Sequence, residues 1–146
     1  MLLHIFVSML SAALKNKYKG KDLNYLENKL QDLINSIVRR RDSVNGFFVC
    51  IACDELKPVN QLNASHYYPK EPKQYKAVRF DLDNIHGGCI RCNKYLHGNL
   101  LPYRKNLIEK IGIERFERLE KLSELKNFKY DREFLIINIE RLKSKN

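Results

Sequence analysis

Aliphatic residues recur every three or four positions across residues 22–41, and this spacing predicts an amphipathic helix. Asp22 stands at the position of a helix N-cap, and Arg39 to Arg41 fill the last turn, where cations suit the helix dipole. We interpret the apolar stripe as a face that packs on the protein core, with a short dimer seam as the alternative. The arginines are expected to form a solvated helix end, with phosphate contacts as the second interpretation. The stripe consists of Leu23, Leu26, Leu30, Leu33, Ile34, Ile37 and Val38.

The pattern changes near residue 45 to short apolar runs separated by turn-forming residues, which favours strands and loops. Asn45 and Gly46 predict a turn that leads into a first strand. Pro69 is expected to end a second strand, because proline cannot donate to a strand ladder. Extended segments are predicted at 47–49, 64–68 and 78–80, loops at 54–63 and 70–77, and a turn at 81–84.

Helical spacing returns after the second cysteine pair and continues to the end of the chain. A short helix from Cys92 is expected to end at Gly98. Pro102 suits the first position of the next helix and Gly112 its C-terminal cap, while Asp131 suits the N-cap of the last helix. The later helices are predicted at 103–111, 114–125 and 132–143. The fold class is therefore α+β and mostly helical, with a small β-rich centre flanked by N- and C-terminal helices.

The composition is that of one folded domain with a strong positive charge. The chain has 146 residues, of which 44% are hydrophobic and 30% charged, and its net charge is +10. The excess of Lys and Arg is spread along the whole sequence, so the folded surface should be positive and suit a polyphosphate partner. A basic protein without such a partner is the alternative. No apolar run approaches the roughly 20 residues that a bilayer requires, which argues against a membrane protein.

The first 14 residues, MLLHIFVSMLSAAL, have the length of a signal-peptide core but lack positive charge in front of it. The lysines come after this segment, on the wrong side for export. We therefore interpret it as a first helix that packs on the domain, or as an extension from an early start codon, rather than as a secretory signal.

All four cysteines of the chain fall into two CxxC pairs, Cys50 with Cys53 and Cys89 with Cys92. Each pair can present two sulfurs from one tight turn, which is what a tetrahedral thiolate zinc site requires. A disulfide within a CxxC pair would close only a very short loop and would add little stability. The spacing therefore favours structural zinc, with redox or disulfide use as the alternative.

Histidine and asparagine side chains follow one another around these pairs in the order of a ββα-metal unit. Cys53 and Cys89 are separated by 35 residues, and this insert carries His66 on a predicted strand and Asn84 in a loop. Asn93 and His97 come directly after the second pair. A strand–loop–strand–helix unit can bring such groups around one divalent cation and one phosphodiester.

Hydrolysis of a phosphodiester requires a base for the attacking water and a cation for the negative charge on the leaving oxygen. An imidazole with a pKa of roughly 6.5 suits the first role, so His66 is the candidate base. Asn93 and His97 stand four residues apart, so on a helix they would share a face and could bind one Mg²⁺ or Mn²⁺. Asn84 is expected to orient the base by bonding across the turn. The structural alternatives are a hydrogen-bonded core histidine for His66 and a helix cap for His97.

Basic and aromatic residues near this centre are candidates for contacts with DNA. The aromatic residues are expected mostly to pack the small core, with one or two free to stack on unpaired bases. The candidate phosphate contacts are Arg79, Arg91, Lys94 and Arg104, and the aromatic residues are Tyr67, Tyr68, Tyr75, Tyr95 and Tyr103.

Several motifs resemble the lambdoid phage NinG (Rap) recombination family over most of the chain, from about residue 22 to the end. The motifs are VRRRD, CIAC, ASHYYP, VRFDLDNIHGGCIRCNKYLHGN and YRKNLIEKIGIERFERLEKL. That family is similar to HNH and endonuclease VII-type zinc-containing nucleases, and it is associated with cleavage of branched recombination intermediates, including Holliday junctions. The resemblance implies an HNH-like, treble-clef-like zinc centre and a structure-selective endonuclease in the cytoplasm of a phage-infected bacterium.

The resemblance also implies roles for single residues: His66 as general base, the four cysteines as zinc ligands, and Asn93 and His97 as ligands of the catalytic cation. One position departs from the pattern, because HNH enzymes often place Asp or His immediately before the base, where this chain has Ser65. A serine hydroxyl binds Mg²⁺ poorly. Either another carboxylate completes the site, or His66 is itself a ligand, or activity is weak. The candidate carboxylates are Asp81, Asp83 and Glu109.

The sequence therefore supports two main hypotheses for the function. The leading one is a metal-dependent endonuclease for branched DNA, with structural zinc and catalytic Mg²⁺ or Mn²⁺, acting as a homodimer because a junction has two-fold symmetry. The alternative is a non-catalytic zinc-containing DNA-binding protein that recognises junctions or gaps, and an exported disulfide protein is a third possibility. The expected regions are 1–21 (outside the resemblance), 22–48 (amphipathic helix), 49–100 (zinc-bound HNH-like centre) and 101–146 (C-terminal helices).

Overall fold

The structure of the protein, a computed structural model, describes residues 10–145, so most of the apolar N-terminal segment lies outside the described residues. The described chain is mixed α+β and mostly helical, as predicted. The helices are α1 Ala12–Lys17, α2 Leu23–Asp42, α3 Leu100–Ile111, α4 Ile113–Ser123 and α5 Arg132–Lys143. The strands are β1 Ser43–Val44, β2 Phe47–Val49, β3 Leu56–Pro58, β4 Leu62–His66 and β5 Ile85–Cys89. No helix among these has both the length and the apolar character needed to cross a membrane.

The chain divides into two compact units, each described by itself. The helical unit contains residues 10–33 and 130–145, and the central unit contains residues 34–129. In the helical unit, the apolar side chains of α2 and α5 are buried, and α1 is linked to α5 by polar contacts. Lys17 Nζ lies 2.9 Å from a Glu140 carboxylate oxygen, and the Tyr18 hydroxyl donates to the same carboxylate. The buried core residues of this unit include Leu26, Leu30, Leu135, Ile136 and Ile139.

Four of the seven residues of the apolar stripe of α2 are buried within the single chain, whereas Leu23 at its start is 46% exposed. Leu26, Leu30, Ile34 and Val38 are all 3% exposed or less. These side chains therefore serve as core, and they are not available as the dimer seam that was the alternative interpretation.

The central unit is built from two small antiparallel sheets and from helices α3 and α4. One sheet has the order β1–β2–β3, and the other pairs β4 with β5 so that His66 lies opposite Ile85 and Leu62 opposite Cys89. The predicted turn between β1 and β2 is present, with positive φ at Asn45 (51°) and Gly46 (81°). The core between these elements contains Phe48, Leu62, Val78, Tyr103, Leu107, Phe116 and Leu119.

Three local predictions in this unit are wrong. Strand β3 lies within the predicted 54–63 loop, where Leu56 pairs with Val49 across the sheet. Strand β4 begins at Leu62 rather than at residue 64 and ends at His66. Residues 78–80 are not extended, because Val78 ends a 3₁₀ segment and Arg79 takes helical angles, with its N–H donating to the Lys76 carbonyl at 3.3 Å.

The predicted ends of the C-terminal helices are largely confirmed, but the predicted start of α3 is wrong, because α3 begins at Leu100 and Pro102 is its third residue. Gly112 ends α3 with a φ of 84°, and the Asp131 side chain caps α5 by accepting from the Glu133 N–H at 2.9 Å. The predicted helix after the second cysteine pair is shorter than expected, since it is a single π-helical turn over Arg91–Tyr95.

Candidate metal centre

The two CxxC pairs meet in one cluster within the central unit. The four cysteine Sγ atoms lie within 4.8 Å of one another, and Cys53 alone is more than slightly exposed. A tetrahedral zinc ion with Zn–S bonds of about 2.3 Å needs sulfurs about 3.8 Å apart, which this cluster can reach with small movements. A single four-sulfur cluster, rather than two separate bonded pairs, is compatible with a metal such as zinc.

Backbone and side-chain donors surround the sulfurs. The Cys89 N–H donates to Cys50 Sγ at 3.2 Å, and the Asn99 amide donates to Cys92 Sγ at 3.5 Å. Burial raises the pKa of Cys92 to about 12, and the neighbouring Cys89 and Cys50 sulfurs add to this effect. Burial also acts to raise the pKa of Cys50, but backbone N–H donors outweigh it and lower that pKa. Deprotonating all four sulfurs at neutral pH therefore requires a cation, and soft thiolates select zinc.

The end of helix α2 anchors the β4–β5 hairpin that carries this cluster. Arg39 donates to the Leu62 carbonyl at 2.9 Å, and Arg41 donates to the Ile85 carbonyl at 2.6 Å. The Asp42 carboxylate accepts from the Gly87 N–H at 2.7 Å. Two of the three arginines expected at a solvated helix end are therefore structural anchors, because the strand carbonyls offer acceptors at the end of the helix.

His66 lies at the last position of β4, where the loop that leads to β5 begins. Its Nε2 is 3.0 Å from the Arg79 carbonyl oxygen. A ring nitrogen that faces a carbonyl carries the proton, so Nδ1 is left with the lone pair. Burial lowers the pKa of His66 to about 4, which keeps the imidazole neutral at pH 7.

Asn84 makes the cross-loop bonds that were predicted for it. The side chain is fully buried, and its Oδ1 accepts from the Tyr68 N–H at 2.8 Å. Its Nδ2 donates to the Tyr68 carbonyl at 3.0 Å and to the Val78 carbonyl at 3.1 Å. Asn84 thus joins the segment that follows His66 to the segment that precedes Arg79.

Ser65 and Asn93 both lie close to Gly88. A Cβ atom added to Gly88 would lie 2.8 Å from the Ser65 Cβ and 3.9 Å from the Asn93 Cβ. Ser65 is buried, and its carbonyl accepts from the Tyr103 hydroxyl at 2.8 Å. The position before the candidate base and the position after the second cysteine pair therefore adjoin, although 27 residues separate Ser65 from Asn93 in the sequence.

The prediction that Asn93 and His97 share one helical face is wrong. The π-helical turn ends at Tyr95, and His97 follows it with a left-handed φ of 51° and an exposed side chain. The reason is local: the Gly98 N–H bonds back to the Cys92 carbonyl at 2.9 Å, which closes the chain into a tight loop instead of extending the helix.

Two of the carboxylates considered as substitutes for Ser65 are engaged elsewhere. Asp81 pairs with Arg118 at 2.9 Å, and Asp83 pairs with both Arg115 and Arg118. Burial acts to raise the pKa of Asp83, but the two guanidinium groups outweigh it and hold that pKa below the ordinary value. The third carboxylate, Glu109, lines a cavity of about 290 Å³ beside Cys50. Within residues 10–145, the cysteines are the one group of three or more Cys, His, Asp or Glu whose ligand atoms converge.

The basic residues predicted to contact DNA divide into two classes. Arg79 is only 7% exposed, and its guanidinium lies 5.0 Å from the centre of the Phe80 ring, so the predicted phosphate contact is wrong for the free protein. Its burial follows from its helical turn beside the core. Arg91, Lys94 and Arg104 are exposed, as expected of residues that bind a phosphate.

Several contacts that shape the centre had no sequence signal. The Asp42 carboxylate bonds to Gly87, the Tyr103 hydroxyl to Ser65 and the Asn99 amide to Cys92. Each of these bonds joins separate elements. His86 lies opposite Ser65 on β5 and is 2% exposed, and its Nδ1 has no partner among the described residues. Periodicity and motif spacing report local structure, so contacts of this kind leave no pattern to find.

A comparison with known proteins gives the chain its family. The family model described as Bacteriophage Lambda NinG protein matches residues 11–146. The chain belongs to the NinG family. The match begins at residue 11, so residues 11–21 lie inside it, whereas the motifs alone indicated a start near residue 22.

Curated NinG proteins from phages agree with this assignment. The chain is 37% identical over 100 residues to protein ninG of Salmonella phage P22, a match that covers 68% of this chain and 46% of that protein. It is 36% identical to protein ninG of Escherichia phage 933W and 35% identical to that of Escherichia phage lambda, again over 100 residues. These matches cover 68% of this chain and 47% and 46% of the two relatives, so the chain matches about half the length of each. No solved structure matches the chain.

Proposed function

We propose that this NinG-family chain is a metal-dependent endonuclease that hydrolyses phosphodiester bonds in branched DNA, with His66 as the general base. The observation that carries the proposal is the His66 imidazole at the end of β4, where the 67–84 loop begins, held by the Arg79 carbonyl at 3.0 Å. The same hairpin carries Cys89 and places Ser65 beside Asn93. Two antiparallel strands followed by a π-helical turn support the proposal of a ββα-metal-like centre.

The state of His66 suits proton abstraction. The Nε2–H bond to the Arg79 carbonyl fixes the ring, and the low pKa keeps Nδ1 unprotonated at neutral pH. In the proposed step, Nδ1 takes a proton from water while the water oxygen forms a bond to phosphorus. The bond from phosphorus to the leaving oxygen then breaks, and that oxygen leaves with the negative charge.

Asn93 is the proposed ligand for a catalytic Mg²⁺ or Mn²⁺, with the Ser65 hydroxyl as its neighbour. When bound, such a cation supplies charge stabilisation at the leaving oxygen. An amide and a hydroxyl fit a hard cation through oxygen, but they carry no negative charge. We therefore expect the cation to bind weakly to the free protein and more tightly when a DNA phosphate adds its charge. His97 is left out of the ligand set, since it lies on the loop beyond the π-helical turn.

The basic surface supports a nucleic-acid partner. Arg91 and Lys94 are exposed on the same turn as Asn93. A cavity of about 360 Å³ in the central unit is lined by lysines together with polar and apolar residues, and no acidic residue lines it. Its lysines are Lys73, Lys76, Lys126 and Lys129. Such surfaces attract phosphate groups and make binding strongly dependent on salt.

The proposal is tested by incubating a labelled four-way DNA junction with the zinc-loaded protein and Mg²⁺ or Mn²⁺. We expect the wild-type protein to cut the junction and His66→Ala to cut it at least about 100-fold more slowly while still binding it. His97→Ala is the matched control and should cut at the wild-type rate. Equal cutting by wild type and His66→Ala would remove His66 from the reaction.

A non-catalytic DNA-binding protein is the second candidate function, and Ser65 is the observation that favours it. The test is Ser65→Asp, which restores an acidic oxygen beside Asn93, with Asn63→Asp on the same strand as control. If the centre binds a cation, Ser65→Asp should strengthen Mn²⁺ binding measured by electron paramagnetic resonance about tenfold, and the control should not. Binding of the junction without any cutting, in wild type and Ser65→Asp alike, would favour the second function.

We also propose that the protein acts as a homodimer, because paired cuts in a two-fold symmetric junction require two centres. Sedimentation of the protein with one junction should give two chains per junction. A stoichiometry of one chain per junction would contradict this part of the proposal.

A further inference from the structure

Four large apolar side chains are exposed between the end of the π-helical turn and the first turn of α3. Leu101 is 87% exposed and Tyr95 is 66% exposed, which is far outside the range of core residues. Leu96 and Leu100 are also exposed, at 43% and 44%. We call these four residues the apolar tip. A cluster of exposed apolar side chains in a small domain marks an interaction surface.

The tip is held rigidly against the cysteine cluster. The Gly98 N–H donates to the Cys92 carbonyl at 2.9 Å, and the Asn99 side chain donates to Cys92 Sγ at 3.5 Å. His97, Gly98 and Asn99 all take positive φ, at 51°, 94° and 50°, so the chain turns sharply at this point. Consecutive left-handed residues are costly and persist only where surrounding contacts fix them. The apolar tip is therefore a preorganised projection next to Asn93 in the sequence.

The charged residues near the apolar tip indicate which kind of partner binds it. Residues 84–108 contain no Asp or Glu, but they contain Arg91, Lys94, Arg104 and Lys105. Lys94 Nζ lies 5.7 Å from the centre of the Tyr95 ring. Arg104 lies 3.9 Å from a Glu120 carboxylate oxygen, so Lys94 is the cation that the structure places directly at the tip. An apolar projection with a cation beside it complements a polyanion that has apolar faces within it, which describes the stacked bases of DNA.

A second exposed apolar surface in the central unit has a different setting. Val44, Phe47, Val49 and Leu56 lie on the outer face of the β1–β2–β3 sheet, where paired residues share a face. We call these four residues the sheet face. Its neighbouring charges, Lys57 and Glu55, neutralise each other in an ion pair. The sheet face thus matches the tip in exposed apolar character, but the charged residues beside it are of opposite sign.

We propose that the apolar tip inserts between bases at the branch point of the DNA substrate, with Tyr95 stacking on one base and Leu101 acting as a wedge. This inference rests on the proposed function, because it assumes branched DNA as the substrate. Bases at a branch have lost a stacking neighbour, so inserting a side chain there disrupts less stacking than in a continuous duplex. The tip therefore gives the protein its preference for branched over linear DNA, while His66 and Asn93 carry out the chemistry.

The test compares binding of a four-way junction and of a linear duplex of the same sequence, in the absence of Mg²⁺ and Mn²⁺. The tip variant carries Tyr95→Ser and Leu101→Ser, and the matched control carries Val44→Ser and Phe47→Ser on the sheet face. We expect the tip variant to bind the junction about tenfold more weakly and the duplex as well as wild type does. The control should bind both as wild type does. Zinc content and circular dichroism confirm that the variants are folded.

A second readout locates the insertion. A 2-aminopurine base placed at the branch point should change its fluorescence when wild-type protein binds, and the same base placed within an arm should not. The signal should disappear with the tip variant and remain with the sheet-face control. Junction preference and branch-point signal retained by the tip variant would overturn the inference while leaving the nuclease proposal intact.

Two further outcomes are distinguishable. If the tip variant changes the sedimenting mass of the protein but not its preference for junctions, the tip is a contact between copies of the chain and the inference is wrong. If wild-type protein itself binds the junction and the duplex equally, the proposed specificity for branched DNA fails, and the inference fails with it.

Discussion

The helical unit and the central unit of this protein obtain their order from different sources. In the helical unit, long helices carry aliphatic side chains such as Leu26, Leu30 and Leu135, all fully or almost fully buried. In the central unit, the strands are two to five residues long, and the segments around the cysteine cluster are turns and loops. Short strands of this kind are marginal by themselves. Periodic apolar sequence is therefore sufficient to order the helical unit. The central unit also needs a cross-link between segments that are distant in sequence, and a bound metal can supply it.

The largest expected difference between the units follows metal removal. Chelation, or Cys89→Ser, should remove on the order of 10 kcal/mol of stabilisation from the central unit. Hydrogen exchange would then show loss of amide protection in β4 and β5, while the amides of α5 remain protected. Equal loss in both units, or no loss in β4 and β5, would contradict the difference in how they are stabilised.

A cavity introduced into the helical unit is expected to destabilise that unit without removing zinc from the cysteine cluster. Leu135→Ala removes a fully buried side chain and should lower the free energy of unfolding by about 2–5 kcal/mol. The bound zinc, measured by elemental analysis of the folded protein, should stay at one ion per chain. Loss of zinc from this variant would show that the helical core also determines the cysteine cluster.

Acidic pH should act on the central unit through its buried histidines. The pKa of His66 is lowered to about 4 and that of His86 to about 3, both chiefly by burial. The unfolded chain therefore binds more protons below a pH of about 6.5, so the stabilising contribution is complete above that pH and declines as the pH falls toward 4.

The measurement is urea unfolding at pH 7 and pH 5. For wild type, the His66 contribution to this pH dependence should be about 1–2 kcal/mol, and His66→Gln should lack it. His97→Gln, which replaces an exposed histidine, should keep the full dependence. An unchanged pH dependence in His66→Gln would show that His66 is not buried in the neutral form.

Loss of an ion pair should have the smallest effect on the free energy of unfolding in either unit. Lys17→Gln in the helical unit breaks a pair between partly exposed side chains and should cost less than about 1 kcal/mol. Arg118→Gln in the central unit should cost more, because this arginine bonds to both Asp81 and Asp83 beside the buried turn. Thermal unfolding at low and high salt checks both, and a larger effect for Lys17→Gln would contradict this ranking.

The sequence predicted those parts of the fold that local physics determines. Helix α2, the caps at Gly112 and Asp131 and the meeting of four cysteines follow from periodicity, backbone preference and ligand spacing, and the structure contains all of them. Strand β3 was missed because it is three residues long and gains its order from pairing with β2. Short strands of mixed composition carry no periodic signal.

The sequence indicated several residues of the candidate site but not the contacts that these residues make. The bonds of Asn84 across the loop were expected from its place in the motif order, and they are present. The burial of Arg79 and the left-handed conformation of His97 were not expected, because both depend on contacts with residues distant in sequence or on loop closure. The anchoring of the hairpin by Arg41 and Asp42 was missed for the same reason.

The central claim is that a metal-bound cysteine cluster positions His66 and Asn93 toward one cation and one DNA phosphate. The most direct test is a crystal structure of the zinc-loaded protein with Mn²⁺ and a junction carrying uncleavable phosphorothioate linkages, with anomalous scattering recorded at the zinc and manganese edges. The account predicts a zinc peak about 2.3 Å from all four cysteine sulfurs. It also predicts a separate manganese peak at the Asn93 side-chain oxygen, with a DNA phosphate between that ion and His66 Nδ1. Cysteines joined as disulfides, or manganese and DNA bound away from both His66 and Asn93, would contradict it.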